Sequence, residues 1–257
     1  MKIKTLTWNI GGGKILRDGT DDQLMASYSV DGLDKIINFL KKERPDIITL
    51  QETQKNEKDD QVARIAEQIG YAYVHDSTSD SHIDAGYQLG HAILTPHTIT
   101  NHTAGLFVNP NATITWEDGN TATSFDKGYT TCTIAINDVP ITVTTLHLVP
   151  FKRFAIALDS DQAKKILADV QSKISSESTQ PHIIQGDFNI DSKLLQPYLA
   201  TLFKDDTDEV ALSQPTTPQH QMYDHIIVRH GTITDHTVAS SIKTDHYPVT
   251  AVVEIAN

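Results

Sequence analysis

Apolar and polar positions alternate over residues 2–10, the pattern of a strand with one buried face, and Gly11-Gly12-Gly13 then ends it in a flexible turn. Val30, Leu33, Ile37 and Leu40 recur at helical spacing ahead of Pro45 and predict a first helix. Residues 46–51 follow as a short apolar run, a buried strand that delivers Glu52 at its carboxyl end. A second helix turns Val62, Ile65, Ala66 and Ile69 inward and closes at Gly70. Two alternating segments, 129–136 and 139–147, flank Asn137-Asp138 and predict a hairpin with His147 at its exit. The third helix is expected over 157–174, capped by Asp159 or Ser160. Further strands are expected at 181–185, 224–229, 232–240 and 246–255. Hairpins and helical crossovers in one chain imply mixed sheets in an α/β fold.

Bulk properties narrow the class. A chain of 257 residues buries a substantial core, and no linker, repeat or low-complexity segment divides it, so one domain over 1–257 is expected. The single Cys132 lies in an alternating segment, which excludes a disulfide framework and predicts a packed thiol. The first residues pass directly into a strand pattern with no room for a signal peptide. No apolar run reaches membrane-spanning length and neither end carries a lipidation signal. A cytoplasmic protein without a membrane anchor or an obligate protein partner is therefore expected. The formal charge of −12 excludes broad electrostatic coating of nucleic acid, because such binding depends on lysines and arginines that release counterions. It does not exclude a nuclease, since a bound cation inverts the local field of an acidic site.

Six motifs fall at or just beyond predicted strand ends: Thr7-Trp8-Asn9-Ile10, Leu50-Gln51-Glu52, Thr145-Leu146-His147-Leu148, Gly186-Asp187-Phe188-Asn189, Asp224-His225-Ile226 and Thr244-Asp245-His246-Tyr247-Pro248. Each alone is weak, since Asn9 has the look of an ordinary turn residue and Gly-Asp-Phe-Asn that of an Asx turn. Together they supply carboxylate and amide oxygens for a hard divalent cation, a carboxylate for water, and imidazoles for an anionic phosphorus centre. Asp224 shares a strand face with Ile226 and Val228, so its carboxylate points to the apolar side and needs a partner, for which His246 is expected. Such a pair favours imidazolium. Phe151-Lys152-Arg153-Phe154, close behind His147, reads either as a compact phosphate-and-stacking surface or as a Phe-anchored loop with solvated charges. A faint calcium-loop pattern beginning at Asp76 fails at Ser81 and Tyr87, where the loop needs Gly and Glu.

In order and company these motifs resemble the endonuclease/exonuclease/phosphatase superfamily, from Thr7 to Pro248, with Thr244 standing where that family more often has Ser. The resemblance implies a four-layer α/β sandwich, two face-to-face mixed β-sheets flanked by helices. It implies a phosphoesterase dependent on Mg2+, or Mn2+, held by Glu52 with Asn9 and Asp245 nearby. It assigns Asp187 to the attacking water, Asn189 to phosphate oxygen or water, His147 to the phosphate or leaving group, and the Asp224–His246 pair to developing phosphoryl charge. Lys152, Arg153, Phe151 and Phe154 are expected to bind substrate, and Lys14, Arg17 and Tyr28 in a long loop over 11–29 lean the same way, toward nucleic acid. Two alternatives stay open at this stage: a phosphatase or phospholipase of the same fold acting on small phosphoesters, inositol phosphates or lipid head groups, and a non-catalytic binding module. The motifs supply phosphate chemistry while other loops choose the substrate.

Overall fold

The computed structural model describes residues 1–115, 119, 121–175, 179–204 and 206–256. Two six-stranded sheets dominate it. The first runs β15 (Thr232–Val238), β16 (Val249–Glu254), β1 (Lys2–Asn9), β4 (Ile47–Lys55), β6 (Gln88–Thr95) and β5 (Ala72–Asp80). The second runs β13 (Thr207–Glu209), β14 (Asp224–Arg229), β12 (His182–Asp187), β11 (Val139–His147), β10 (Gly128–Ile136) and β7 (Thr98–Leu106). Both are mixed: β1 pairs β4 in parallel and β16 antiparallel, while β11 pairs β12 in parallel and β10 antiparallel. Two small ribbons, β2 (Lys14–Leu16) with β3 (Tyr28–Asp31) and β8 (Thr113–Thr115) with β9 (Thr121–Thr123), sit apart from them.

Alternation along each strand builds the layers. Ile47, Ile93, Ile134, Ile141, Val143, Ile183, Ile226 and Val228 meet between the sheets. Leu6, Trp8, Ile48 and Leu50 face the other way and pack under α1 (Leu33–Glu43) and α2 (Gln61–Ile69). Leu146, Ile184 and Ile227 likewise cover their sheet's outer face under α3 (Asp161–Ile174). The result is the expected four-layer sandwich. Cys132 is a free thiol in the central layer, where burial pushes its pKa up to about 12. No helix among the described residues is long and apolar enough to cross a membrane.

Several boundaries differ from the sequence reading. Helix α1 starts only at Leu33, because Val30 belongs to β3 and Gly32 separates the two. Helix α3 starts at Asp161, with Ser160 as its cap: the hydroxyl accepts from the Ala163 amide at 3.2 Å. The last strand starts at Val249, leaving His246 in the loop before it. The segment 11–29 is not a free loop. Lys14 pairs with Asp84 at 2.8 Å, and the Tyr28 hydroxyl donates to the Asp22 carbonyl at 2.9 Å. The faint calcium motif begins inside β5, which takes up residues 76–80 of it, and its remainder forms the turn before β6.

Between apolar core and site lies a band of hydroxyl and amide side chains. Thr5 Oγ1 donates to Gln185 Oε1 at 2.8 Å, and Gln185 Nε2 donates to the Leu6 carbonyl and to Thr49 Oγ1. Gln51 Nε2 reaches across to Thr145 Oγ1 at 2.8 Å. Thr5, Thr49 and Gln51 belong to the first sheet, Thr145 and Gln185 to the second, so the sheets are hydrogen-bonded through their side chains.

At the opposite end from the site, His182 is buried, with Nε2 2.8 Å from Thr144 Oγ1 and Nδ1 without a partner. Burial first, then Arg229, push its pKa down to about 3, so it stays neutral in the fold while its unfolded counterpart titrates near 6.5. Below that pH the unfolded chain takes up a proton that the fold refuses. Stability present above about 6.5 is therefore lost as the pH falls toward 3, at up to about 1.4 kcal/mol per pH unit from this group. His182→Gln removes that dependence while keeping a hydrogen-bonding amide. Urea unfolding of both proteins from pH 7.5 to 4.5 should show the wild type losing its advantage on acidification; parallel curves would refute the account.

Candidate active site

The site forms where β1, β4, β11, β12 and β14 reach the same edge of the sandwich. Asn9 ends β1, His147 ends β11, Asp187 ends β12 and Asp224 begins antiparallel β14, with all four side chains buried. Gly186 makes the approach possible: its φ is +153°, and a Cβ there would come within 2.0 Å of the Leu146 carbonyl oxygen on the neighbouring strand. Asp187 is the focus. Its Oδ1 accepts from the Asn189 amide at 2.9 Å, and its Oδ2 accepts from Asn9 Nδ2 at 3.0 Å. The same Oδ2 lies 3.3 Å from His147 Nε2 and 3.7 Å from His246 Nε2. Asn189, in the left-handed region with φ 51°, donates its side-chain amide to the Leu148 carbonyl at 3.0 Å.

His246 is fixed from both sides. Its Nδ1 is 2.8 Å from Asp224 Oδ2, and its backbone carbonyl accepts from Trp8 Nε1 at 3.0 Å and from the Thr244 hydroxyl at 2.5 Å. Burial opposes its charge, but Asp224, Asp187 and Asp245 outweigh it, so its pKa is raised well above the usual value and the ring is imidazolium. His147 behaves oppositely. Burial first, then Lys127, lower it well below the usual value, so it is neutral. Lys127 Nζ lies 3.2 Å from its Nδ1 and 3.1 Å from its Nε2, and Nε2 is 3.3 Å from Asp187 Oδ2. Burial, then the Asp224 charge, raise Asp187 above the carboxylate range.

Glu52 does not sit at a strand tip. Strand β4 runs on to Lys55, and Glu52 is the extra residue of a bulge where pairing with β6 shifts between Gln51 and Thr53; its φ is 52°. Inward-facing Gln51 would otherwise send Glu52 to the helix side, and the bulge turns it to the cavity instead. Burial opposes its ionisation, yet Lys127, 3.6 Å away, with His82, His246 and Arg153 holds its pKa below the usual value. Asp245 lies across from it. Its Oδ1 is buried without a partner, and a Cβ on Gly11 would come within 2.7 Å of that oxygen, so the Gly11 turn leaves the carboxylate room.

These residues line a cavity of about 310 Å³ that includes Asn9, Glu52, His147, Asp187, Asn189, Asp245 and His246. Lys152 and Arg153 line it as well, both exposed. Phe151 does not: it is 1 % exposed and packed in the core beneath α3, which leaves no ring face for a base, and Phe154 is half-buried against the same core. A hydrophobic chain flanking two cations reads equally as anchor or as platform in sequence, and here Phe151 is the anchor. Asp224 faces His246 rather than the cavity. Lys127, His82, Phe125 and Tyr223 line the cavity and were not singled out by sequence pattern.

Two groups of donors offer themselves to a cation. Asp187, Asp224 and His246 come within 4.8 Å of one another, but His246 is protonated and its Nδ1–H is spent on Asp224, so it has no lone pair to give. The ionised Glu52, the orphaned oxygen of Asp245 and the amide of Asn9 form the better set: oxygen donors, with one carboxylate from a strand bulge and one from the loop before β16, suit a hard divalent ion.

The family model for the endonuclease/exonuclease/phosphatase family matches residues 6–246, and the chain belongs to that family. Its members are hydrolytic phosphoesterases, generally dependent on a divalent metal. Solved structures share the fold. An endonuclease/exonuclease/phosphatase from Beutenbergia cavernae aligns over 100 % of this chain and 72 % of its own, at 16 % identity and TM-score 0.71. The human Nocturnin catalytic domain with bound sulfate aligns over 99 % and 94 %, at 14 % identity and TM-score 0.66. D. rerio TDP2 in complex with a single-strand DNA product aligns over 98 % and 99 %, at 15 % identity and TM-score 0.61. No curated protein matches the sequence.

The Asp224–His246 bond is open to direct test. Asp224→Asn removes the largest charge favouring imidazolium, so the His246 pKa should fall by at least about one unit, given the strength of a hydrogen-bonded buried pair. Nitrogen-detected NMR titration of the metal-free proteins reads it. An unmoved His246 would detach the pair.

Proposed function

We propose that the chain hydrolyses phosphodiester bonds in nucleic acid with Mg2+ or Mn2+ bound. The observation that carries this reading is the Asp187 carboxylate, placed between a neutral and a cationic imidazole in a cavity that Glu52 and Asp245 also line. Glu52, Asp245 and Asn9 would hold the cation, whose bound form supplies positive charge to the phosphoryl oxygens. Asp187 Oδ2 orients the attacking water and takes its proton, and its raised pKa suits that task. His246 offers the charge of its Nε2–H to the phosphoryl oxygens as negative charge grows there. Neutral His147 and Asn189 steady Asp187 and phosphate oxygen, while Lys127, Lys152 and Arg153 give the cavity a local positive wall in a chain of net charge −12. That wall favours a phosphate with a further phosphate beside it, hence a polynucleotide.

Purified protein should cleave an oligonucleotide with magnesium or manganese and lose that activity in excess chelator. Asp187→Asn should lower kcat by about 10² to 10⁴, the usual worth of a positioned base. The acid limb of the wild-type kcat/KM profile should lie above the ordinary carboxylate range, because Asp187 must lose its proton to act. Glu52→Gln should weaken metal dependence without unfolding the chain. Full activity in chelator would remove the metal from the proposal, and hydrolysis of a simple phosphomonoester without action on any nucleic acid would replace the substrate with a small phosphoester.

A further inference from the structure

His82 and Phe125 come from different sheets, His82 from the loop after β5 and Phe125 from the segment leading into β10. Their rings stack with centroids 4.7 Å apart and planes 16° from parallel, and both line the cavity above Asp187. The pair is not core packing. His82 is exposed, Phe125 is half-buried, and neither belongs to the three hydrophobic clusters among the described residues.

Each ring stands on a pinned loop. On the His82 side, Ser81 Oγ accepts from the Ile83 amide at 3.0 Å, the Asp84 amide at 3.1 Å and Gln54 Nε2 at 2.8 Å. The Lys14–Asp84 pair ties the same loop to β2. On the Phe125 side, Asn109 bridges Ser124 and Asp126: its Nδ2 donates to the Ser124 carbonyl at 3.0 Å and to Asp126 Oδ1 at 2.8 Å, and its Oδ1 accepts from Ser124 Oγ at 2.6 Å. Two residues further on, Lys127 enters the charged floor beside Glu52 and His147. An aromatic face is thus held in place in the same cavity as Lys127, Glu52 and His147, and a planar partner pays little conformational entropy to meet it.

Resting on the nucleic-acid reading above, we infer that the His82–Phe125 stack is a platform for one unpaired nucleobase beside the scissile phosphate, so that the substrate is a single-stranded segment or frayed end. A base inside a duplex keeps both faces covered by its neighbours and cannot extend this stack. Electrostatics agrees, because the cavity carries only a small local set of cations and the chain as a whole is acidic.

The test compares a single-stranded oligonucleotide with one of the same length carrying an abasic spacer around the cleavage site, in the presence of magnesium. His82→Ala, at an exposed position, and Phe125→Leu, which keeps an apolar side chain, should each raise KM for the base-bearing substrate about tenfold more than for the abasic one, in line with the loss of one base–aromatic stack. A second readout is independent of turnover. A single strand containing 2-aminopurine, bound to Asp187→Asn protein, should show fluorescence quenching that is lost when His82→Ala is added. Equal effects on both substrates, or quenching that survives His82→Ala, overturn the platform while leaving the nuclease reading intact. If the wild type cleaves neither oligonucleotide, both fall together.

Discussion

The site is divided between two sheets, and everything chemical depends on how those sheets are held against each other. Asn9 and Glu52 come from the first sheet, His147, Asp187 and Asp224 from the second. Apolar packing between the layers is strong but non-directional, and by itself tolerates small slides. The Gln51–Thr145 and Thr5–Gln185–Thr49 hydrogen bonds are directional and fully buried. Leaving any of those groups unpaired costs about 1–3 kcal/mol, so a slide that breaks several at once is strongly disfavoured. Gln51 precedes Glu52, Thr145 lies one inward step before His147, and Gln185 one inward step before Asp187. The band that sets the sheet register therefore sets the Asn9–Asp187 bond and the spacing across the cavity.

Burial then sorts like residues into unlike roles. Their neighbours separate three of the carboxylates and pair the fourth: Lys127 keeps Glu52 ionised, burial and then neighbouring carboxylates push Asp187 and Asp245 upward, and Asp224 is hydrogen-bonded to His246. Burial and the Asp224 charge lift Asp187 while His246, Asn9 and Lys127 pull the other way. The two imidazoles diverge for the same reason. Burial, reinforced by Lys127, keeps His147 neutral, whereas at His246 three carboxylates outweigh burial and the ring is charged. Groups with pKa values driven apart by environment are what acid–base chemistry at neutral pH requires.

Much of this was legible in the chain. Alternation put Asp224 on the inward face with Ile226 and Val228 and sent His225 outward, where its ring meets Phe188 edge-on. The inward positions of β1 read Thr5, Thr7, Asn9 and those of β12 read Ile183, Gln185, Asp187, an apolar-to-polar progression toward the site that periodicity alone displays. The Glu52 bulge was not legible, because a left-handed glutamate has no local signature and period-2 logic sends it to the wrong face. Strands β5 to β7 were also missed: Ser, Thr, His and Gly dilute their pattern, and tertiary pairing decides them. Lys127 could have been found by counting. Once the hairpin turn is placed at Asn137-Asp138, Tyr129 falls opposite Leu146, which brings the residues before Gly128 beside His147.

The apolar-to-polar gradient also separates stability from specificity. The inter-sheet layer and its hydrogen-bonded band serve the floor, where Asp187, His147 and His246 meet. The walls come from loops, with His82 following β5, Phe125 preceding β10, and Lys152 and Arg153 following β11. None of the four contributes to the three apolar clusters among the described residues, so changes there leave the core contacts and the Lys127–Glu52–His147 floor in place. Phe151 marks the border between the two regimes. It is adjacent to Lys152 in sequence, yet its ring belongs to the core, and through it the basic loop is anchored to the sandwich that the chemistry requires.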